Sequence, residues 1–245
     1  MSGERFFVEG VRSPGDVVAL GGSDARKIVT VLRKRSGDTV EIVDSTATAY
    51  AAQLEIERHA VRARVLAPTR ANAPIRSAVA VTVAQAIPKG QKMDFVVEKL
   101  TELGVGSILP FASERSVVTG SGTAKIERWR RLARTAAAQC GRCDIPPVEE
   151  PLNWDELLAR FPSYDRVLFP WELAEPAPLR HTLAAAIEGA SRILVVVGPE
   201  GGFTHDEARL AAAGGAAILS LGRRILRSET AGLVVLASIA FLTES

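Results

Sequence analysis

The stretch ILVVVGPEGGF at residues 193–203 decides the fold. Its first five residues are aliphatic, and a short continuous apolar run of this kind is typical of a strand buried on both faces of a parallel sheet. The run ends in a glycine-rich loop, and Thr204 with Glu207 forms a capping box that predicts a helix directly after the loop. Strand, loop and capped helix together indicate an open α/β sheet, whose ligands bind at the carboxyl ends of the strands.

The glycine loop, residues 198–202, is the first candidate binding site. Its glycines permit a positive φ and the close approach of a ligand to backbone amides. The loop lacks the G-x-G-x-x-G spacing of a dinucleotide fingerprint and the Lys of a P-loop, which disfavours an oxidoreductase or a nucleoside triphosphatase. A tight strand-to-helix turn without a ligand is the alternative interpretation.

A second glycine-containing strand end follows. The predicted strand at residues 217–221 continues as GRRILRSETA to Ala231, and two such ends can form one pocket. Arg227 and Glu229 flank Ser228, the predicted N-cap of the last helix. They are either an exposed ion pair that contributes little to stability or charges beside a bound substrate.

Strand and helix patterns alternate from residue 79 onward. This alternation predicts an α/β domain with a mostly parallel sheet. The further predicted strands are residues 79–86, 107–111 and 166–169, and the predicted helices are residues 91–103, 125–140, 179–188 and 204–213.

The first 70 residues have a different pattern. Short, partly alternating segments at residues 5–8, 39–43, 50–56 and 61–66 predict a small β-barrel, with one helix at residues 24–35. A stretch of Ala, Pro, Arg and Asn then separates the two patterns. We expect one domain at residues 1–70, a linker at 71–77 and a second domain at 78–245.

Composition and charge restrict the functional class. With 47% hydrophobic and 24% charged residues in 245, the chain is typical of a globular protein, and a net charge of +2 implies no polyanionic partner by itself. Two cysteines in a chain of this length favour a reducing compartment. No apolar signal segment or run long enough for a membrane span is evident, so we expect a cytoplasmic protein without a membrane partner.

Basic residues nevertheless cluster locally. Positions 26–35 hold five basic residues and no acid. On the predicted helix 125–140, one face is apolar and another is rich in arginine. Arginine contacts phosphate oxygens in bidentate fashion, so this is either an RNA-binding face or simply a solvated one.

Other chemistry has weaker signals. Cys140 and Cys143 form a C-x-x-C without a second pair, and the three histidines stand singly, so we predict no metal site. The sequence also lacks the G-x-S-x-G pattern of a serine hydrolase.

Short motifs along nearly the whole chain point to one family. They are RFF at 5–7, VLR at 31–33 with GD at 37–38, KG at 89–90 with KM at 92–93, EK at 98–99, ELG at 102–104, ERS at 114–116, Gln139 with GR at 141–142, the loop at 198–203, LG at 221–222, ILR at 225–227 and ETA at 229–231. Together they resemble the RsmE family of bacterial ribosomal RNA methyltransferases, which methylate N3 of one uridine in the small-subunit RNA. The resemblance implies a PUA-like barrel followed by a SPOUT-type α/β domain with a C-terminal trefoil knot, and a homodimer.

The resemblance also implies a cofactor and its site. In this family S-adenosylmethionine is held by backbone groups of three loops, which correspond here to residues 169–172, 198–202 and 221–231. The residues expected to bind it are Trp171, Gly198, Pro199, Glu200, Gly201, Gly202, Leu221, Gly222, Ile225, Leu226, Thr230 and Ala231. Those expected to contact RNA are Arg5, Arg26, Lys27, Arg33, Arg35, Arg115, Arg128, Arg131, Arg134 and Arg142.

These expectations define a uridine N3-methyltransferase acting on 16S ribosomal RNA or the small ribosomal subunit. Arg227 and Glu229 are the candidate catalytic residues. Arg227 would stabilise the uracil anion or hold a nearby phosphate, and Glu229 would orient either group. Two alternatives stay open: a SPOUT enzyme acting on transfer RNA, and a catalytically silent RNA-binding or ribosome-assembly protein.

Overall fold

A computed structural model describes residues 5–58, 60–69, 79–116 and 122–243. The chain divides into two compact units, one of residues 1–75 with 137–145 and the other of residues 76–136 with 146–245. The first unit therefore includes a short segment from the middle of the chain. The linker predicted at residues 71–77 lies outside the described residues.

The first unit contains one five-stranded sheet, curled into half a barrel. Its strands, in spatial order, are β1 (Arg5–Phe7), β3 (Thr39–Val43), β4 (Ala49–Glu57), β5 (Ala60–Pro68) and β2 (Val17–Leu20). β1 is parallel to β3, and the other neighbours are antiparallel. All four predicted strands are present. β2 was not predicted, because its four residues are uniformly apolar and show no alternation.

The predicted helix at residues 24–35 is shorter than expected. Helix α1 (Gly22–Arg26) continues into a π-helical turn (Lys27–Val31), and the chain then leaves the helical path. Arg33 has a φ of 53°, in the left-handed region, which ends the helix. The β-branched residues of the turn also weaken helix propagation. Arg33 and Arg35 therefore follow the helix instead of lying on it.

The second unit is built on a fully parallel five-stranded sheet, as predicted. Its spatial order is β10 (Ala217–Leu219), β8 (Arg166–Pro170), β9 (Arg192–Val197), β6 (Ala80–Ala86) and β7 (Ser107–Phe111). Its helices are α2 (Lys92–Glu102), α3 (Thr123–Cys140), α4 (Trp154–Arg160), α5 (Leu179–Ile187), α6 (His205–Ala213) and α7 (Ser228–Thr243). The last four residues of α3 belong to the first unit.

Several strand and helix boundaries differ from the prediction by one or two residues, those of β10 and α7 among them. β10 ends at Leu219 instead of residue 221, and α7 begins at Ser228 itself instead of after it. α4 was missed, although Asn153 and Glu156 form a capping box before it. A short 3₁₀ turn, Phe161–Ser163, directly follows α4.

The core of the second unit positions the strand ends. Residues 193–197 of β9 are all buried. The rings of Phe111, Trp154, Phe169 and Phe203 pack together in the same core. The Thr204–Glu207 capping box is present and fixes the start of α6 immediately after the glycine loop. Among the helices of the described residues, none is both long and apolar enough to cross a membrane.

Candidate functional site

A cavity of about 570 Å³ lies in the second unit, at the carboxyl ends of the parallel strands. Because β8, β9 and β10 are parallel and adjacent, the loops that follow them leave the sheet at the same edge. These three loops and the start of α2 form the walls. The lining residues are Lys92, Pro170, Trp171, Glu172, Ala174, Pro176, residues 197–203, residues 220–228 and Ala231.

The glycine loop has a backbone that side chains would disrupt at two positions. Gly202 has a φ of 66°, and a Cβ on it would collide with the carboxylate of Glu172. At Gly198 a Cβ would lie 3.0 Å from Cε2 of Phe203. Gly201 does not have a positive φ, so the conformational freedom expected of the loop is needed at Gly202.

Three side chains fix the carbonyl and carboxylate groups of this loop. Arg115 Nη1 donates to the Gly201 carbonyl at 2.8 Å, and Ser228 Oγ donates to the Gly198 carbonyl at 2.5 Å. The loop carboxylate of Glu200 accepts from Lys92 Nζ at 3.0 Å. The loop is thus held at both ends and in its middle.

A buried amide connects this loop to the sheet. Gln85, near the end of β6, is fully buried, and its Nε2 donates to Ser228 Oγ at 2.9 Å and to the Ala86 carbonyl at 3.1 Å. Its Oε1 has no hydrogen-bond partner among the described residues. Through Ser228, Gln85 couples the ends of β6 and β9 to the first residue of α7.

A series of ion pairs runs along one side of the cavity. Lys92 Nζ lies 3.0 Å from Glu200 Oε1 and 3.6 Å from Glu229 Oε2, and Arg227 Nη1 lies 3.9 Å from Glu229 Oε1. The side chain of Glu229 is only 14% exposed, whereas that of Arg227 is 82% exposed. Glu229 therefore lies between two cations, and its Oε2 accepts no hydrogen bond from the described residues.

The ion pair between Lys92 and Glu200 keeps both groups charged. The hydrogen bond to Glu200 raises the pKa of Lys92 above its ordinary value. Burial acts to raise the pKa of Glu200, but hydrogen bonds from Lys92 and the Lys89 backbone lower it overall. Lys92 is consequently a cation at neutral pH and not a proton acceptor.

An aromatic ring closes another side of the cavity. Trp171 follows β8, and its ring meets that of His205 edge to face with centroids 5.2 Å apart. Its backbone N–H donates to the Leu219 carbonyl at 2.9 Å, which extends the β8–β10 pairing. The cavity thus combines apolar surface with backbone polar groups and a charged edge.

Comparison with known proteins identifies the family. The model of the RNA methyltransferase domain family matches residues 76–240. Ribosomal RNA small subunit methyltransferase E of Bacillus subtilis is 30% identical, over 98% of this chain and 97% of its own length. The chain belongs to the ribosomal RNA small subunit methyltransferase E family. The Mycobacterium bovis member is 32% identical over 97% of this chain and 91% of its own length.

Solved structures of similar proteins agree over nearly the whole chain. The methyltransferase E of Neisseria gonorrhoeae bound to S-adenosyl methionine is 31% identical, with a TM-score of 0.86 and coverage of 98% of this chain and 97% of its own. A Legionella pneumophila structure in complex with bound SAM is 27% identical, with a TM-score of 0.89 and coverage of 98% of both chains.

The structure brings together nearly all the residues expected at the cofactor site of a methyltransferase E. Trp171, the five residues of the glycine loop, Leu221, Gly222, Ile225, Leu226 and Ala231 all line the cavity. Thr230 does not line it. Of the two candidate catalytic residues, Arg227 lines the cavity and Glu229 lies behind it, in contact with both Arg227 and Lys92.

Sequence reasoning missed several cavity residues. Lys92 lines the cavity but lies outside the three loops assigned to the cofactor. Glu172, Arg223 and Arg224 also line it, and they lie within those loops but were not named individually. The position of Lys92 at the start of α2, directly after β6, was a usable signal, because β6 is a parallel strand whose carboxyl end faces the same edge. Gln85 and Ser228 could be recognised only from tertiary contacts.

The arginine face of α3, defined as Arg128, Arg131 and Arg134, is only partly free of acidic partners. Arg128 forms an ion pair with Asp94 of α2. The neighbouring Arg130 pairs with Glu127 and Glu150, so that part of the helix is electrostatically balanced. Arg131 is exposed. Fewer of the positive charges on this face are therefore available to a phosphate than the sequence alone suggests.

Three other predicted RNA contacts have assigned partners. Arg5 is 7% exposed; its Nε donates to Glu41 at 2.7 Å and its Nη1 to the Gly141 carbonyl. Arg5 is therefore a structural residue, and we leave it out of the RNA surface. Arg142 pairs with Asp144, and Arg115 holds the glycine loop while remaining exposed.

The remaining predicted contacts lie in the first unit. Arg26, Arg33 and Arg35 are exposed, and Lys27 is partly exposed at the start of the π-helical turn. On β5, Arg62 and Arg64 share one exposed face, but they pair with Glu57 and Glu55.

The cysteines have no assigned function. Cys140 is exposed and Cys143 is buried, and both are free thiols. Within the described residues, no group of three or more His, Cys, Asp or Glu side chains is arranged to hold a metal ion.

Proposed function

We propose that this chain transfers the methyl group of S-adenosylmethionine to N3 of a uridine in small-subunit ribosomal RNA. The observation that carries the proposal is the cavity at the carboxyl ends of β8, β9 and β10, in a chain whose family is named for methylation of this RNA. Two cations and a carboxylate that is only 14% exposed, at one edge of that cavity, favour a catalytic site over a binding protein without activity.

The cavity residues fit S-adenosylmethionine. A volume of about 570 Å³ lies in the range of small-molecule sites. At Gly202 the backbone approaches so closely to Glu172 that a side chain would fill the space. The glycine loop and residues 221–226 with Ala231 would hold the cofactor through backbone groups, with Trp171 as an apolar wall. When bound, the cofactor supplies an electrophilic methyl group.

The protein's own residues would align the base and favour loss of its N3 proton. Positioning the base for in-line displacement is the larger task, because well-oriented reactants avoid most of the entropic cost of meeting. Arg227 is exposed enough to reach the base or an adjacent phosphate. Glu229 would orient Arg227 across the ion pair between them.

The RNA would be held by basic residues outside the cavity, most of which are exposed. We assign this role to the arginine face of α3, to Arg115 and Arg142, and to Arg26, Lys27, Arg33 and Arg35. Phosphate contacts of this kind position an RNA without reading its sequence. Residues 1–70 would then form the RNA-binding domain and residues 78–245 the methyltransferase domain, joined at 71–77.

The family resemblance supports further features of the assembly. We propose that the curled sheet of the first unit belongs to a PUA-like barrel and that the C-terminal part of the second unit forms a SPOUT trefoil knot. We also propose a cytoplasmic homodimer. Phe241 of α7 is 81% exposed and Phe95 of α2 is 45% exposed, and a second subunit would cover such apolar surface.

The proposal is tested by nucleoside mass spectrometry of ribosomal RNA from cells lacking this protein. We expect loss of 3-methyluridine from the small-subunit RNA and its return when the intact gene is restored. Loss of a methylated uridine from transfer RNA would indicate the alternative target. Unchanged nucleosides in every RNA would contradict a methyltransferase function.

A further inference from the structure

We propose that Lys92 is a catalytic residue that, together with Arg227, binds the two carbonyl groups of the target uracil and stabilises the base as an anion. This inference rests on the proposed function, since it concerns the same site and takes uridine as the substrate. It adds a residue that neither the sequence motifs nor the comparisons assign to the reaction.

The first argument is the position of the two cations. Lys92 and Arg227 both line the cavity, although one begins α2 and the other precedes α7. Glu229 lies between them, 3.6 Å from Lys92 Nζ through Oε2 and 3.9 Å from Arg227 Nη1 through Oε1. The carboxylate therefore sets the spacing of the two cations from behind the cavity wall, and Glu229 is a positioning residue.

The second argument is the number of donors that remain available. An ammonium group has three N–H donors. Glu200 accepts one from Lys92 at 3.0 Å, and Glu229 lies at a longer distance. The side chain of Lys92 is 37% exposed and lines the cavity, so at least one donor can meet a ligand. The pKa of Lys92 is raised by Glu200, which keeps these donors protonated.

The third argument is the chemistry of the base. Uracil N3 lies between two carbonyl groups, and it becomes a nucleophile when its N–H bond breaks. The proton goes to solvent water, the electron pair stays on N3, and the negative charge spreads over N3, O2 and O4. Two cations placed at O2 and O4 would stabilise this anion where its charge develops. Cytosine offers one carbonyl and one amino group beside N3, so it would leave one cation facing a donor.

The matched pair of variants is Lys92→Gln and Lys99→Gln. Both lysines are on α2 and both are held by two glutamates, since Lys99 pairs with Glu98 at 2.9 Å and Glu102 at 2.8 Å. Only Lys92 lines the cavity. We expect Lys92→Gln to lower kcat/KM on small-subunit RNA by about a hundredfold. The Lys99→Gln variant should keep wild-type activity and wild-type affinity for S-adenosylmethionine. Because Lys92→Gln also removes a contact to Glu200 of the glycine loop, its kcat/KM is measured at saturating S-adenosylmethionine, and the loss should persist there.

The pH dependence separates anion stabilisation from a structural effect. In the wild type, kcat/KM should rise with pH and level off near the pKa of the bound uracil. Removing the Lys92 cation should move the rising part of this pH profile to higher pH. RNA that carries 5-fluorouridine at the target should restore part of the lost activity, because fluorine makes N3 more acidic.

Ionisation of uracil N3 can also be measured directly, without a methyl donor. The ¹⁹F NMR shift of 5-fluorouridine in an RNA bound to the enzyme reports ionisation of N3 as pH is raised. We expect a lower N3 pKa in the wild-type complex than in the Lys92→Gln complex. Equal values in the two complexes would overturn the inference even if the variant were slow. Absence of methyl transfer by the wild type would instead overturn the proposed function.

Discussion

The glycine loop and the arginine face of α3 are both dense in one residue type, but they are held in different ways. The loop is held by hydrogen bonds from three separate parts of the chain: Ser228 to Gly198, Arg115 to Gly201 and Lys92 to Glu200. The arginine face lies on the surface, where Arg128 is exposed beside Asp94 and solvent screens each charge. Single changes in the loop should therefore have large, local effects, whereas changes on the helix should be small, additive and dependent on salt.

The largest effect is expected at Gly202. Replacing Gly202 with Ala puts a side-chain-bearing residue in the left-handed region and displaces the carboxylate of Glu172, which also lines the cavity. S-adenosylmethionine binding, measured by calorimetry, should be lost.

Gly215 provides the matched control. It has a φ of 89°, but a Cβ there would meet no atom within 4 Å, and it follows α6 away from the cavity. Gly215→Ala should lower the free energy of unfolding by about 1–2 kcal/mol and leave cofactor affinity unchanged. Wild-type affinity in a folded Gly202→Ala variant would show that the loop does not shape the site.

A smaller effect is expected at Ser228. Ser228→Ala removes the donor to the Gly198 carbonyl and one of the two acceptors for Gln85 Nε2, which leaves one buried N–H of that amide unsatisfied. An orphaned buried donor lowers the free energy of unfolding by about 1–3 kcal/mol. Because the Gly198 end of the loop is no longer held in place, the Kd for S-adenosylmethionine should rise about tenfold.

Ser107 is the control for this change. It lies at the opposite, amino end of β7 and bonds to Glu149 at 3.2 Å. Ser107→Ala should leave the Kd as it is. If both alanine variants bind equally well, the Gln85–Ser228–Gly198 connection does not position the glycine loop.

The smallest effect per residue is expected on α3. Changing Arg128, Arg131 and Arg134 together to Gln should weaken RNA binding and reduce the slope of log Kd against log salt by about two, because fewer counterions are released. Cofactor affinity should not change.

Arg62 and Arg64 on β5 serve as the comparison, since each is exposed but paired with a glutamate. Their double replacement by Gln should alter stability by less than about 1 kcal/mol and leave the salt slope unchanged. A salt slope equally insensitive to the α3 changes would indicate that the arginine face is only solvated.

Local signals in the sequence predicted the strand ends and their loops. The aliphatic run of β9, the glycines after it and the Thr204–Glu207 capping box are each defined by neighbours along the chain, and the structure contains all three. The same signals located the glycine loop and the loop after β10, whereas the loop at 169–172 and the individual cofactor-binding residues were expected from the family resemblance.

Residues that depend on distant partners could not be predicted in this way. Arg5 stands directly opposite Glu41 in the parallel β1–β3 register, and nothing near it in the sequence reveals this pairing. Lys92 meets Glu200 across 108 residues of chain, and Gln85 meets Ser228 across 143. The missed helix α4 is different, because its capping box was visible in the sequence.

The most direct measurement of the central claim uses purified components. The wild-type protein, S-adenosylmethionine labelled in its methyl group and small ribosomal subunits from cells lacking the protein are combined, and the RNA is digested to nucleosides. We expect the label in 3-methyluridine from the small-subunit RNA. Label in another nucleoside, or no transfer to this RNA by a protein that binds the cofactor, would contradict the assignment.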